Sequence, residues 1–335
     1  MNSLNKDNSI WLLLDDRVGN CSQVLGIEKA LNLKCIKKQF QYNLLSKLPN
    51  IFLQNSIKHI KFSDRKQFKA PWPKIIIGCG RKSAPIGLWI KKQSNNYSKY
   101  IQIMWPSYPY RGIDLIFTPL HDNIKNKKNV IEIQTSPNVI NNKLISESYN
   151  KWMNELGNLL SPKISVIIGG DTKNHKLGII HIKALFKNIN SILNDKGSIM
   201  ISSSRRTSKE SLIQIKKEIR KLKFKTILWN VNDKKPNPYH GFLAHADLVI
   251  VTGDSVSICS EVCSAGKPLL IYAPKDITIK KHNIFHKLLI KKGIAKYIED
   301  FKIQDLNSFN YTPINESENI AKIIKNKYLI KRTKL

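Results

Sequence analysis

The sequence predicts an α/β protein of two domains, each a mostly parallel sheet covered on both faces and presenting its βα loops to a shared cleft. Three observations predict it. Short apolar runs alternate with segments of helical period along nearly the whole chain, the pattern of a parallel sheet with helices on both faces. Several of those runs end in loops rich in Gly, Ser, Asp and Arg. The chain has 335 residues and a hydrophobic fraction of 41%, enough for two ordinary cores.

The elements follow in order. Ile10 to Leu14 is a buried strand, stopped by Asp15 and Asp16. It is too short to span a bilayer or to form a signal-peptide core, so the expected compartment is the cytoplasm. A polar turn, Asp15 to Asn20, leads to a helix over Ser22 to Leu31, apolar at Val24, Leu25, Ile27, Ala30 and Leu31. Lys34 to Phe40 reads as the next strand and Gln41 to Pro73 as loop and helix. Lys74 to Ile77 is a strand ending at Gly78-Cys79-Gly80-Arg81. Ala84 to Lys91 is a helix, with Pro85 in its first turn. Tyr100 to Met104, Ile113 to Thr118 and Val130 to Ile133 are short strands.

The pattern then repeats. Lys163 to Ile168 is a strand running into Gly169-Gly170-Asp171-Thr172-Lys173, followed by a helix over Gly178 to Leu193. Ser198 to Ser202 is a strand ending in Ser203-Ser204-Arg205-Arg206-Thr207, and Lys209 to Leu222 is a helix. Lys225 to Trp229 is a strand, and Pro238-Tyr239-His240-Gly241 opens a short helix through His245. Leu248 to Thr252 is a strand, Ser257 to Ala265 a helix, and Leu269 to Tyr272 a strand. The expected division is a first domain over 1–160, a second over 161–318, and a C-terminal helix and tail, 319–335, packing back on the first.

The net charge of +32 comes almost wholly from Lys, accompanied by many Asn and Ile, as an AT-rich coding sequence would produce. The Lys are scattered rather than gathered in a stripe with interleaved aromatics, which disfavours nucleic acid as the partner. A field this positive still attracts anions: nucleotides, phosphosugars and acidic headgroups. Arg is scarce, eight in all, and Arg17, Arg81, Arg111, Arg205 and Arg206 fall in or beside loops after strands. There the planar fork suits phosphate or carboxylate, a reading favoured at Arg81 and Arg205, while ordinary surface pairing accounts equally well for the others. The five Cys show no CxxC. Cys259 and Cys263, one helical turn apart, read as core residues rather than metal ligands.

In parallel α/β sheets ligands sit beyond the carboxyl ends of the strands. The strongest candidate is the strand-turn-helix at Gly253, Asp254, Ser255, Val256 and Ser257, where orphan N–H groups and the helix dipole form an anion site. Glu261 follows two turns into that helix, where a carboxylate can accept from both hydroxyls of a ribose. The plainer alternative is a helix capped by Asp254 or Ser255 with Glu261 solvated. Gly169, Gly170 and Lys173 after one strand, and Ser204, Arg205 and Arg206 after another, are further phosphate candidates. In the first domain the loop with Asp15, Asp16, Arg17, Gly19 and Asn20, together with Gly80 and Arg81, is placed facing the cleft. Asp15 or Asp16, its pKa raised by partial burial, or His121 beside Asp122, is the candidate general base. No Walker A loop, GxGxxG, HExxH, GxSxG or DxD pair occurs. Their absence disfavours P-loop NTPases, ordinary dehydrogenases, α/β-hydrolases and DxD-type metal-dependent transferases. No cofactor or metal is expected.

These loops carry a family resemblance. Asp16 to Leu31 (DRVGNCSQVLGIEKAL), Gly80-Arg81, Ile113 to Asp122, Ile168-Gly169-Gly170, Ser202 to Thr207 and Asn237 to Glu261 resemble the mitochondrial-fission "elongated mitochondria" family, in order and across most of the chain. Plant members are implicated in recruiting a dynamin-like GTPase to the outer mitochondrial membrane. The family is in turn similar to GT-B glycosyltransferases such as the peptidoglycan and lipid-A disaccharide synthases, with two Rossmann-like domains and no DxD metal. That likeness implies ribose contact at Glu261, followed by the turn Gly266-Lys267-Pro268. It implies diphosphate near Ser255 and Val256, and phosphate at Arg205. Gly19-Asn20 stands where the peptidoglycan enzymes have paired glycines and a His, so the acceptor side departs from their pattern. Two functions are expected to compete. One is a metal-independent, GT-B-type glycosyltransferase using a nucleotide-sugar or other phosphorylated ligand. The other is a non-catalytic adaptor on the same scaffold, peripheral to an anionic membrane surface on its cytoplasmic face.

Overall fold

The computed structural model describes residues 9–107, 110–124, 128–172 and 175–330. The chain divides into two units, Met1–Val139 with Asn315–Leu335, and Ile140–Ile314. Among the described residues each unit holds one six-stranded sheet in which every strand pairing is parallel. The α/β architecture with two parallel sheets is the one expected from the sequence.

The first unit runs β1 (Ile10–Leu14), α1 (Val18–Leu31), β2 (Cys35–Gln39), the short helical segments α2 (Asn50–Leu53) and α3 (Phe62–Arg65), β3 (Ile75–Cys79), α4 (Ala84–Gln93), β4 (Lys99–Ile103), β5 (Leu115–Pro119) and β6 (Val130–Ile133). The sheet order is β2-β1-β3-β4-β5-β6. The chain therefore reverses its direction of travel across the sheet between β1 and β3. β1, β3 and β5 are buried at every position. That is why they read as unbroken apolar runs and not as alternating ones.

The second unit runs α5 (Asn142–Lys151), α6 (Met153–Leu156), β7 (Lys163–Ile168), α7 (Ile179–Leu193), β8 (Ser198–Ser203), α8 (Lys209–Ile219), β9 (Lys225–Trp229), α9 (Tyr239–His245), β10 (Leu248–Thr252), α10 (Val256–Ala265), β11 (Leu269–Tyr272), α11 (Lys280–Lys291) and β12 (Ala295–Tyr297). Its order, β12-β11-β10-β7-β8-β9, reverses between β7 and β10. Cys259 and Cys263 are fully buried in the apolar cluster around α10, with Val249, Val262 and Phe285.

The division differs from the one drawn on the sequence. Residues 140–160 pack with the second unit, because α5 lies on α9: His245 Nε2 bonds the Tyr149 carbonyl at 2.9 Å and the two rings stack at 4.3 Å. The last helix, α12 (Glu316–Ile324), belongs to the first unit and lies along α1. Glu316 accepts from the Gln134 N–H at 2.7 Å. The Ser317 hydroxyl accepts from the Asn138 N–H at 2.9 Å and donates to its carbonyl at 2.7 Å. Gly26 makes this approach possible. A Cβ there would stand 2.3 Å from the Asn138 carbonyl oxygen and 2.8 Å from Ser317 Oγ.

The same helix offers an internal control, since a Cβ on Gly19 meets nothing within 4 Å. Gly26→Ala should destabilise the protein by about 2–4 kcal/mol through a forced shift of the 138 and 317 backbone. Gly19→Ala should be neutral or stabilising by up to about 1 kcal/mol, from helix propensity alone. Urea denaturation of the two variants separates these outcomes, and equal effects would contradict the packing account.

Candidate functional site

The loops after β7, β8 and β10 meet where the second sheet reverses, the place at which such sheets offer their crevice. Asp254 holds them together. Its carboxylate is buried and accepts from the Thr252 hydroxyl at 2.7 Å, the Gly170 N–H at 3.2 Å and the Arg206 guanidinium at 2.6 Å. The Gly169 carbonyl accepts from the hydroxyls of Ser204 and Thr207, each at 2.6 Å, and the Gly169 N–H donates to Thr252 Oγ1 at 2.8 Å. Both glycines are required by this closeness. A Cβ on Gly169 would fall 2.2 Å from an Asp254 oxygen, and one on Gly170 would fall 2.1 Å from the Arg206 carbonyl.

These bonds divide the expected phosphate ligands into two groups. Gly169, Gly170, Ser204, Arg206 and Asp254 are spent on one another, and neither glycine N–H is left open to an anion. Arg205 is exposed and has no ion pair among the described residues. Ser255 caps α10, its hydroxyl accepting from the Ile258 N–H at 3.4 Å, so the cap is Ser255 and not Asp254. The N–H groups of Val256 and Ser257 stand in the first turn, where a helix supplies no acceptor, at the positive end of its dipole. Gly253 is packed tightly, with Ala273, His286 and Thr278 all within 3.0 Å of the position a Cβ would take. Lys173 lies outside the described residues.

Glu261 is not simply solvated. It sits along α10 and accepts a hydrogen bond from the Tyr239 hydroxyl of α9. Burial pushes its carboxyl up to about 7, and the Tyr239 bond pulls the other way. Sequence reasoning missed two neighbours here. Tyr239 was read only as opening a helix. His282, in the first turn of α11, hydrogen-bonds the Gly253 backbone and is held below the usual histidine range, mainly by burial, with the Asp254 charge opposing. It stands far along the chain from Asp254, in a segment not assigned to a helix from the sequence, so no local pattern marked it.

In the first unit the loop after β1 is organised by Asp15. Its carboxylate accepts from the Arg17 N–H at 3.0 Å, Asn20 Nδ2 at 2.9 Å and the Tyr42 hydroxyl at 3.2 Å. Asp16 and Arg17 are exposed, so the partial burial expected of a base falls on Asp15 and not on Asp16. Gly80 has a φ of +82° and backs directly on Asn20, which a Cβ would approach to 2.7 Å. Arg81 does not present its fork to an anion. It donates to the carbonyls of Leu48 at 2.9 Å and Ser46 at 3.2 Å and to Asn50 Oδ1 at 2.9 Å. His121 is buried in a short turn after β5, its Nε2 3.9 Å from Asp122. Among the described residues no group of three or more His, Cys, Asp or Glu is placed to hold a metal ion.

Residues 18–328 match the family model described as mitochondrial fission ELM1. An uncharacterized protein of Rickettsia prowazekii is 32% identical, over 95% of this chain and 98% of its own length. The mitochondrial fission protein ELM1 of Arabidopsis thaliana is 27% identical, over 80% of this chain and 67% of its own. Among solved structures, MurG of Acinetobacter baumannii superposes with a TM-score of 0.55 at 14% identity, covering 95% of this chain and 99% of that one. The UDP-GlcNAc 2-epimerase of Neisseria meningitidis, solved bound to UDP-GlcNAc, gives 0.57 at 14%, covering 95% and 98%. The two structural likenesses establish a GT-B fold.

Two predictions follow the chemistry of α10. Removing the Asp254 carboxylate (Asp254→Ala) strands the Gly170 N–H and the Thr252 hydroxyl and should lower stability by about 2–4 kcal/mol in urea titrations. For Glu261 the folded carboxyl titrates near 7 against an ordinary 4.5, so the native state loses stability as pH rises through that interval. Glu261→Gln should therefore stabilise the protein at pH 8 by about 1–3 kcal/mol and leave it unchanged near pH 4. A melting-temperature gain equal at both pH values would refute the burial account.

Proposed function

The chain belongs to the mitochondrial fission ELM1 family, and from that premise we propose that its second unit binds a nucleoside diphosphate or nucleotide-sugar. One observation carries the reading. At the reversal point of the sheet, α10 begins with open N–H groups at Val256 and Ser257, and it carries Glu261 further along, already held as an acceptor by Tyr239. The helix N-terminus takes the diphosphate, by its donors and its dipole. Exposed Arg205 adds a bidentate cation. Glu261 accepts from the ribose hydroxyls. Binding there favours its ionised form, so affinity falls as pH drops below about 7. A protein of the same fold has been solved with UDP-GlcNAc, which supports this ligand class.

In the transferase form of this reading, the helix terminus and Arg205 stabilise the departing diphosphate without a metal. A second reading, the non-catalytic adaptor, is favoured by a specific feature. The Gly169 and Gly170 N–H groups are taken up by Thr252 and Asp254, so the paired glycines present no donor to a ligand.

A thermal-shift screen with UDP, GDP, CMP, ADP and dTDP at millimolar concentration, on wild type and Glu261→Ala, decides between them. One nucleotide should raise the melting temperature by about 2–4 °C in the wild type alone, because a ligand of the native state shifts unfolding by mass action. No shift with any nucleotide would leave the adaptor reading.

A further inference from the structure

Between β2 and β3 the chain makes an excursion whose burial pattern is inverted. Ser46 and Asn50 are buried at 4% and 2% exposure, while Leu44 and Phe52, on the same short stretch, are 78% and 71% exposed. Leu45, Leu48 and Ile51 are also exposed. The inversion is enforced from beneath. The Arg81 fork grips the carbonyls of Ser46 and Leu48 and the Asn50 side chain, and Asn50 Nδ2 returns a bond to the Arg81 carbonyl at 2.8 Å. Lys82 donates to Ser46 Oγ at 2.8 Å. Buried donors and acceptors thus face the unit's interior and the apolar side chains are turned out. The returning limb is fastened alongside, with Asn43 Nδ2 donating to the carbonyls of Lys58 at 2.8 Å and Ile60 at 3.1 Å. That limb carries Phe62, 84% exposed, with the Arg65 guanidinium 5.7 Å from its ring centre.

We infer that this outward face, Leu44 to Phe52 with Phe62, is a docking surface for an anionic lipid bilayer. Contiguous exposed apolar side chains mark an interaction surface rather than a requirement of the isolated fold. The charge around them selects the partner. Lys47, Lys58, Lys61, Arg65 and Lys66 lie on the same excursion, and between Lys29 and Ile113 the sequence holds a single carboxylate, Asp64. Asp64 accepts from the Gln41 N–H at 2.8 Å, which draws it into the loop's own bonding. Asp15 and Asp16 share a pocket wall with Lys61 and Asp64 at its edge, and the apolar side chains interspersed along the segment with Lys and Arg match an interface of acyl chains beneath anionic headgroups. A second copy of this surface would meet it charge against like charge. No described helix is long and apolar enough to cross a membrane. The inference is independent of nucleotide binding.

The test is flotation of the full chain with phosphatidylcholine vesicles, with and without phosphatidylglycerol. Wild type should float with the anionic vesicles only. Leu44→Ser with Phe52→Ser should reduce binding more than about tenfold, and Lys47→Ser with Lys58→Ser several-fold, at unchanged melting temperature. Lys216→Ser with Lys217→Ser, on exposed α8 positions, should bind as wild type. Three results would overturn the inference: wild type ignoring anionic vesicles, the apolar pair binding normally, or the α8 pair losing as much as Lys47 and Lys58. It would also fall if the apolar substitutions abolished self-association in sedimentation velocity while leaving flotation intact.

Discussion

The second unit depends on one buried carboxylate. Asp254 leaves the end of β10 and satisfies a hydroxyl on its own strand, an N–H on the loop after β7 and a guanidinium on the loop after β8. A buried ionised group is tolerated only when its lone pairs are met, and here each donor comes from a different stretch of chain. The loops therefore cannot move independently. Gly169 and Gly170 are required by that closeness, since a Cβ on either would collide with Asp254 or with the Arg206 carbonyl. With this knot closed, neither glycine N–H is left to an anion.

The first unit uses an analogous device with opposite polarity. Arg81 leaves the end of β3 and spends its donors on main-chain carbonyls of the excursion after β2. A side chain whose planar fork is suited to phosphate is thereby a structural clamp. What the clamp holds is a segment with its polar side chains inside and its apolar ones outside. In both units, then, a loop arginine is engaged by its own protein, Arg206 by Asp254 and Arg81 by the carbonyls of Ser46 and Leu48.

Much of the architecture was legible before any coordinates. Wholly buried parallel strands appear as continuous apolar runs such as IWLLL, IIIGC and LVIVT, and Gly or Asn at helix ends marks left-handed C-caps such as Gly266. The segments missed were of two kinds. The half-exposed α5 and α11 carry mixed polar faces, and the three-residue β12 is too short for a period. The boundary falls before α5 and not near residue 160, because α9 receives α5, a contact between segments distant in sequence.

The sequence by itself determined the fold class and most of the order of strands and helices along the chain, because both follow from local period and turn residues. It also determined family membership, through loop motifs read in order. Only the tertiary structure decided which loop residues are occupied. Asp254 with Arg206, Asp15 with Tyr42, Glu261 with Tyr239, and His282 beside Gly253 are pairings between segments distant in sequence. Burial and hydrogen-bond satisfaction are properties of what packs around a side chain, and no local pattern encodes its neighbours. The same holds for the charge: composition set its sign and size, while the packing beneath residues 44–62 decided where it borders an exposed apolar face.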